Sequence, residues 1–144
     1  MRIGILGSGL MGAKLGTIWA RAGHEVVFSY ARSEQKLKKL ARDAKGTARA
    51  GTPNEAAKDA DALLLAVHWS RVDDVLKQAG DVSGKVIVSC SLPMNADDTD
   101  LVVFHTSSGA ECGLEELLAT DVHRPAPPNC SREYSPAGGK SHHV

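Results

Sequence analysis

Aromatic residues are scarce. Two Trp, two Tyr and two Phe make up 4% of 144 residues, so the interior must be built mainly from aliphatic side chains. The chain also lacks an excess of either charge: Lys plus Arg and Asp plus Glu stand at 17 each. That balance withholds the electrostatic footprint of a general nucleic-acid or membrane-surface binder. Cysteine is limited to Cys90, Cys112 and Cys130, too far apart for a CxxC metal or redox motif and odd in number, which argues against a disulfide framework. They read as reduced thiols, and a cytoplasmic location is expected. No apolar run is long enough to span a membrane, and the apolar start from Met1 to Leu6 runs straight into a glycine turn, unlike a signal peptide. Nor does any Ser/His/Asp set or metal-ligand cluster stand out. These absences leave a small molecule as the expected partner.

What is present is a soluble globular composition, 42% hydrophobic and 24% charged, at the length of one ordinary domain. Arg2 to Leu6 is a short apolar run suited to a buried central strand. Leu10, Met11, Leu15, Ile18, Trp19 and Ala22 then recur at helical spacing up to Gly23. The pattern repeats: His24 to Tyr30 holds a β-prone segment, and the lysine-rich stretch Glu34 to Ala44 reads as an exposed helix with Leu37, Leu40 and Ala41 inward. Thr47 to Ala50 signals a short third strand. Thr52, Pro53 and Glu55 then have the spacing of a capping box with proline at the first helical position. Ala62 to Val67 reads as a buried strand, Ser70 to Gln78 as a helix, Lys85 to Cys90 as another buried strand, and Ser108 to Leu118 as a last helix. This βαβα alternation predicts an α/β Rossmann-like, doubly wound parallel sheet in three α/β/α layers. From Thr120 onward prolines and glycines interrupt a segment almost without aliphatic residues. The expectation is therefore a domain over residues 1–119 that lacks its last strand, followed by an irregular, flexible tail over 120–144.

The chemistry is concentrated at the first turn, Gly7-Ser8-Gly9-Leu10-Met11-Gly12. In a GxGxxG turn between a strand and a helix, the first glycine permits the tight bend and the second admits a pyrophosphate close to the backbone. The third lets helix and strand pack closely. Anion binding then uses the helix N-terminus rather than a lysine. The end of the second strand distinguishes the cofactors. An NAD site would place an aspartate or glutamate there, whereas this chain reads Ser29-Tyr30-Ala31-Arg32-Ser33. Arg32 offers a planar fork for a 2′-phosphate, Ser29 or Ser33 a hydroxyl, and Lys36 a second positive charge. NADP is favoured; the alternative is that Arg32 and Lys36 form a solvated surface. Val67 ends the fourth strand, and His68 and Trp69 follow it at the ligand-binding edge of such sheets. Trp69 either walls a cofactor pocket or caps the core, and His68 is either a contact or an ordinary loop residue. The loop from Ser91 to Asn95 points to the same edge and could reach the nicotinamide. A polar cluster, His105 to Ser108, either takes an anion or simply caps the last helix.

Taken in order, GILGSGLMGAKLG, AGHEVVFSYAR, LLLAVHW, KVIVSCSLP and HTSSGAECGLEELLA resemble the NADP oxidoreductases dependent on the deazaflavin coenzyme F420, over roughly residues 1–119. The resemblance implies hydride transfer between NADP(H) and a deazaflavin or a related small acceptor. It implies Ser29 and Arg32 as 2′-phosphate contacts and Trp69 as the end of the turn after the fourth strand. Two stacked cofactors need positioning and no acid or base, so no catalytic side chain is expected. Family members continue with a strand and a helical segment that complete the acceptor site and often a homodimer. Asp121 to Pro125 resembles nothing in that continuation, so a truncated or divergent member is expected. The opening also resembles the β-hydroxyacid dehydrogenases, although their substrate segment and catalytic lysine are not recognisable here. A nucleotide-binding module without turnover is the competing reading from outside the enzymes.

Overall fold

The computed structural model describes residues 1–95 and 97–101. The expected helix over 108–118, the polar cluster His105 to Ser108, the tail over 120–144, Cys112 and Cys130 lie outside the described residues. The chain divides into two compact units, Met1–Leu92 and Pro93–Val144. In the second, Met94 and Leu101 form an isolated antiparallel bridge, and the Asn95 side chain accepts from the amides of Thr99 and Asp100.

The first unit is a five-stranded, wholly parallel sheet. It contains β1 (Arg2–Leu6), α1 (Leu10–Arg21), β2 (Glu25–Ser29), α2 (Glu34–Ala44), β3 (Ala48–Ala50), α3 (Pro53–Lys58), β4 (Ala62–Leu65), α4 (Val72–Ala79) and β5 (Val86–Ser89). The sheet order is β3-β2-β1-β4-β5. β1 is central, with Leu6 opposite Ser29 on one side and Leu65 on the other. That position explains its uninterrupted apolar sequence, since both faces are covered. Side-chain alternation sends Ile3, Ile5, Val26, Phe28 and Leu64 into one core with Ala20, Leu37, Ala41 and Ala44. Gly4 points to the other face, where a Cβ would come within 2.3 Å of the Ala56 carbonyl oxygen of α3. α1 and α2 thus cover one face, α3 the other, with α4 packed beside α3. This is the expected α/β/α layering.

Local signals explain most boundaries. The capping box of α3 forms as its spacing predicts: Thr52 Oγ1 accepts from the Glu55 amide at 3.2 Å, and Glu55 accepts from the Thr52 amide at 2.7 Å. Ser33 caps α2 by accepting from the Lys36 amide. α4 begins at Val72, later than the expected Ser70, because Trp69–Arg71 first make a 3-10 turn.

Two expectations fail. The buried stripe of α1 is Gly12, Gly16 and Ala20, while Leu10, Met11 and Ile18 are exposed, Leu10 at 79%. The helix approaches the sheet too closely for large side chains: a Cβ on Gly16 would lie 2.3 Å from the Phe28 ring. Likewise β5 is not buried on both faces. It pairs with β4 at the edge of the described sheet, which leaves Val86 64% and Val88 48% exposed.

Gly16→Ala should therefore lower stability by about 1–3 kcal/mol through overpacking. A thermal melt at or above that of the parent protein would refute the close approach.

Candidate functional site

The carboxyl ends of β1, β2 and β4 gather most of the sequence-predicted residues. At the end of β1 the chain turns sharply, with Gly7 at φ +114°, a conformation open to glycine alone at little strain. A Cβ there would also lie 2.4 Å from the Ala66 carbonyl oxygen. The Gly7 amide donates to the Ser29 carbonyl at 3.2 Å and the Ser8 amide to the Tyr30 carbonyl at 3.1 Å. Two buried hydroxyls tighten this seam. Ser8 Oγ donates to the Ser29 carbonyl at 2.8 Å, and Ser29 Oγ to the Ile5 carbonyl at 2.7 Å.

Gly12 is required by packing, since a Cβ would sit 1.8 Å from the Gly7 carbonyl oxygen. Gly9 is different. Its φ is −78°, and a Cβ built on it meets no atom of the described residues within 4 Å. It begins α1, whose first turn has no side-chain cap and no acidic residue. The other helices are answered at this end: α2 by Ser33 and Glu34, α3 by its capping box, α4 by Asp73 and Asp74. The start of α1 therefore presents amide donors and positive partial charge at an open surface, beside exposed Leu10 and Met11.

At the end of β2 the two candidate serines separate. Ser29 is fully buried and donates its hydroxyl to the Ile5 carbonyl, so it serves the seam. Ser33 is exposed at the N-cap of α2, flanked by exposed Arg32 and Lys36. Neither cation belongs to an ion pair among the described residues. No carboxylate occupies the strand end.

Tyr30, half-buried, carries an unusual backbone for its type at φ +55°. Its hydroxyl donates to Asp74 Oδ2 in the first turn of α4, and Gln78 Nε2 donates to the same oxygen at 3.1 Å. Burial, then this bond, raises the Tyr30 pKa, while the hydrogen bonds from Tyr30 and then Gln78 lower that of Asp74. The bond thus holds across neutral pH. The Asp74 share is lost as pH falls through its lowered pKa, and the Tyr30 share as pH rises through its raised one. Asp74 was not singled out from the sequence. Its signal is the acidic pair Asp73-Asp74 just after the fourth strand, which reads there as ordinary helix-start chemistry.

Beyond β4, Ser91 clamps Val67: its hydroxyl donates to the Val67 carbonyl at 2.7 Å and accepts from the Val67 amide at 3.3 Å. His68 caps the 3-10 turn, its Nδ1 2.9 Å from Ser70 Oγ and accepting from the Ser70 amide. Trp69, 6% exposed, belongs to the core rather than to an open wall. No metal-ligand cluster occurs among the described residues. A hollow of about 110 Å³ lined by Arg2, Glu25, Arg49, Glu55 and Asp59 lies away from the glycine turn, on the side where β1 and β2 begin. Two arginines against three carboxylates make its rim unfavourable to an anion.

A parallel sheet in this order, with a glycine turn opening the helix after its central strand, is a Rossmann-like domain of the dinucleotide-binding type. More particularly, the chain belongs to the NADP oxidoreductase coenzyme F420-dependent family, which it matches over residues 2–93. Among solved structures it is similar to a candidate F420-dependent NADP reductase from Arthrobacter sp. FB24, with a TM-score of 0.70 and 20% identity over 82% of this chain and 58% of that one. It is also similar to a hypothetical protein from Sinorhizobium meliloti, with a TM-score of 0.66 and 20% identity over 81% of this chain and 56% of the other. The chain thus spans less than two thirds of the length of either structure. No curated protein matches it in sequence.

Ser29→Ala should destabilise the domain by about 0.5–1.5 kcal/mol while leaving any preference between NADP and NAD unchanged. A selective loss of NADP binding, measured by calorimetry, would return Ser29 to the ligand.

Proposed function

We propose that this domain binds NADP(H), with the pyrophosphate on the Gly7–Gly12 turn and the 2′-phosphate on Arg32, Ser33 and Lys36. We further propose that it presents the nicotinamide to a deazaflavin of the F420 type. The observation that carries the reading is Gly9. Its neighbours Gly7 and Gly12 are required by conformation and packing, but nothing among the described residues requires Gly9 to lack a side chain. The space that a Cβ would take faces the uncapped start of α1, which fits the close approach of a diphosphate.

The remaining groups fit the same ligand. Two exposed cations and an exposed hydroxyl stand where an NAD site would carry a carboxylate, and guanidinium-to-phosphate bonds are charge-assisted. The family assignment favours this reading over the β-hydroxyacid dehydrogenase alternative. When bound, the nicotinamide supplies the hydride donor or acceptor. The residues of this chain bind and orient. The Ser8–Ser29 seam fixes the turn, the Ser91 clamp on Val67 joins the ends of β4 and β5, and exposed Leu10 and Met11 border the opening. No side chain here is assigned as acid or base, because alignment of the two rings suffices. An odd number of widely spaced cysteines fits a cytoplasmic setting.

Gly9→Val should abolish nucleotide binding in calorimetry while the thermal melt stays near that of the parent. Undiminished affinity would remove the reading. Arg32→Glu should weaken NADP by at least about 1.5–3 kcal/mol and NAD far less; an equal loss for both would assign Arg32 to the surface. Hydride transfer is tested separately, by mixing the NADPH-loaded protein with a deazaflavin. Single-turnover oxidation at about 1 per second or faster supports it, and no oxidation counts against it.

A further inference from the structure

The Tyr30–Asp74 bond joins a loop and a helix that the sheet itself keeps apart. Tyr30 follows β2 and Asp74 lies on α4, which follows β4, while β1 runs between those strands. The phenol therefore bridges from one side of the β1 carboxyl end to the other. Its position is determined from three directions. The Tyr30 carbonyl accepts from the Ser8 amide in the glycine turn, its backbone is held at φ +55°, and its hydroxyl is bonded to an Asp74 that Gln78 also holds. Arg71 faces the same phenol. A side chain needed only to fill the core would not require a left-handed backbone and a hydroxyl bonded at the protein surface.

Stereochemistry connects this arrangement to the ligand. The inference rests on the NADP reading above. The ribose that carries the 2′-phosphate also carries the adenine, so a 2′-phosphate on Arg32 and Lys36 puts the base within a few bonds of that site. Tyr30 lies two residues before Arg32, between that site and the pyrophosphate turn. Every base presents a π face, and an aromatic side chain held in place is its ordinary platform. We propose that Tyr30 is the surface on which the adenine of the cofactor stacks, and that Asp74 is a positioning residue that acts only by holding the phenol. Half-exposed Tyr30 keeps part of its ring available for that contact. Asp74 makes no contact with the base in this arrangement. Its carboxylate is occupied by Tyr30 and Gln78.

The test uses the full chain and calorimetric titration with 2′,5′-ADP and, separately, with inorganic pyrophosphate, which has no base. Tyr30→Ala should weaken 2′,5′-ADP about tenfold or more, within the range of base–aromatic stacking, and leave pyrophosphate unchanged. Tyr30→Phe and Asp74→Ala should each give a smaller loss, and the double variant should be no worse than either alone, because both remove one bond. Tyr30→Trp should recover most of the affinity of the parent. Adenine hypochromism on binding should diminish in Tyr30→Ala, a signature that a merely structural bond would not move. If Tyr30→Ala does not fold, Tyr30→Phe and Asp74→Ala decide by the same titration. Parent-like 2′,5′-ADP affinity in folded Tyr30→Phe and Asp74→Ala, with only their melting temperatures lowered, would overturn the proposal and leave the NADP reading standing. Failure of the parent protein to bind 2′,5′-ADP or NADP at all would overturn both.

Discussion

The structure depends on how closely α1 can lie against the sheet. At Gly12 the helix passes so near the Gly7 carbonyl that no Cβ fits, and one turn later Gly16 meets the Phe28 ring in the same way. Because interiors are close-packed, this contact fixes the axis of α1 against β1 and β2 rather than merely permitting it. The direction of the helix N-terminus is then a property of the core. So is the outward placement of Gly9, the first residue beyond the contact. A larger side chain at Gly12 or Gly16 would tilt the helix and turn its amide donors away from the strand ends, so the packing that stabilises the fold also aims the site.

Charge is arranged around that aim. The first turns of α2, α3 and α4 each contain acidic residues, which favour the positive end of a helix. α1 has none and no side-chain cap, so its own first turn supplies no favourable electrostatic partner. The exposed cations Arg32 and Lys36 lie at the end of the neighbouring strand. Together they gather positive charge at one edge of the sheet, in a chain whose formal net charge is zero.

Much of this was legible in the chain, and the reasons are local. The bounds of α2, the capping box of α3 and the strand–turn–helix at Gly7 follow from short-range patterns that tertiary packing had no cause to override. The inward face of α1 was misread because apolar periodicity assumes that large residues fill the interface, whereas here small ones let two backbones meet. β5 looks like a central strand in sequence, since a valine-rich run does not reveal how many neighbours it will have. Ser29 and Ser33 are equivalent as hydroxyls in the sequence, until the end of β2 buries one and the N-cap of α2 leaves the other exposed. Asp74 was invisible because its partner lies 44 positions away and only the parallel order of the strands brings them together.

The buried seam from Ser8 through Ser29 to Ile5 has a consequence for divergence. It joins the turn to the second strand by hydrogen bonds that end before Arg32 is reached. The residues proposed to hold the 2′-phosphate lie beyond the seam, on a loop and a helix start whose side chains are largely exposed. On the proposed reading, substitutions there would alter selectivity without entering the core, so a lineage could drift between cofactors through that loop while the glycine turn stays the same. Residues inside the seam do not have that freedom, because changing one of them disturbs strand and turn together.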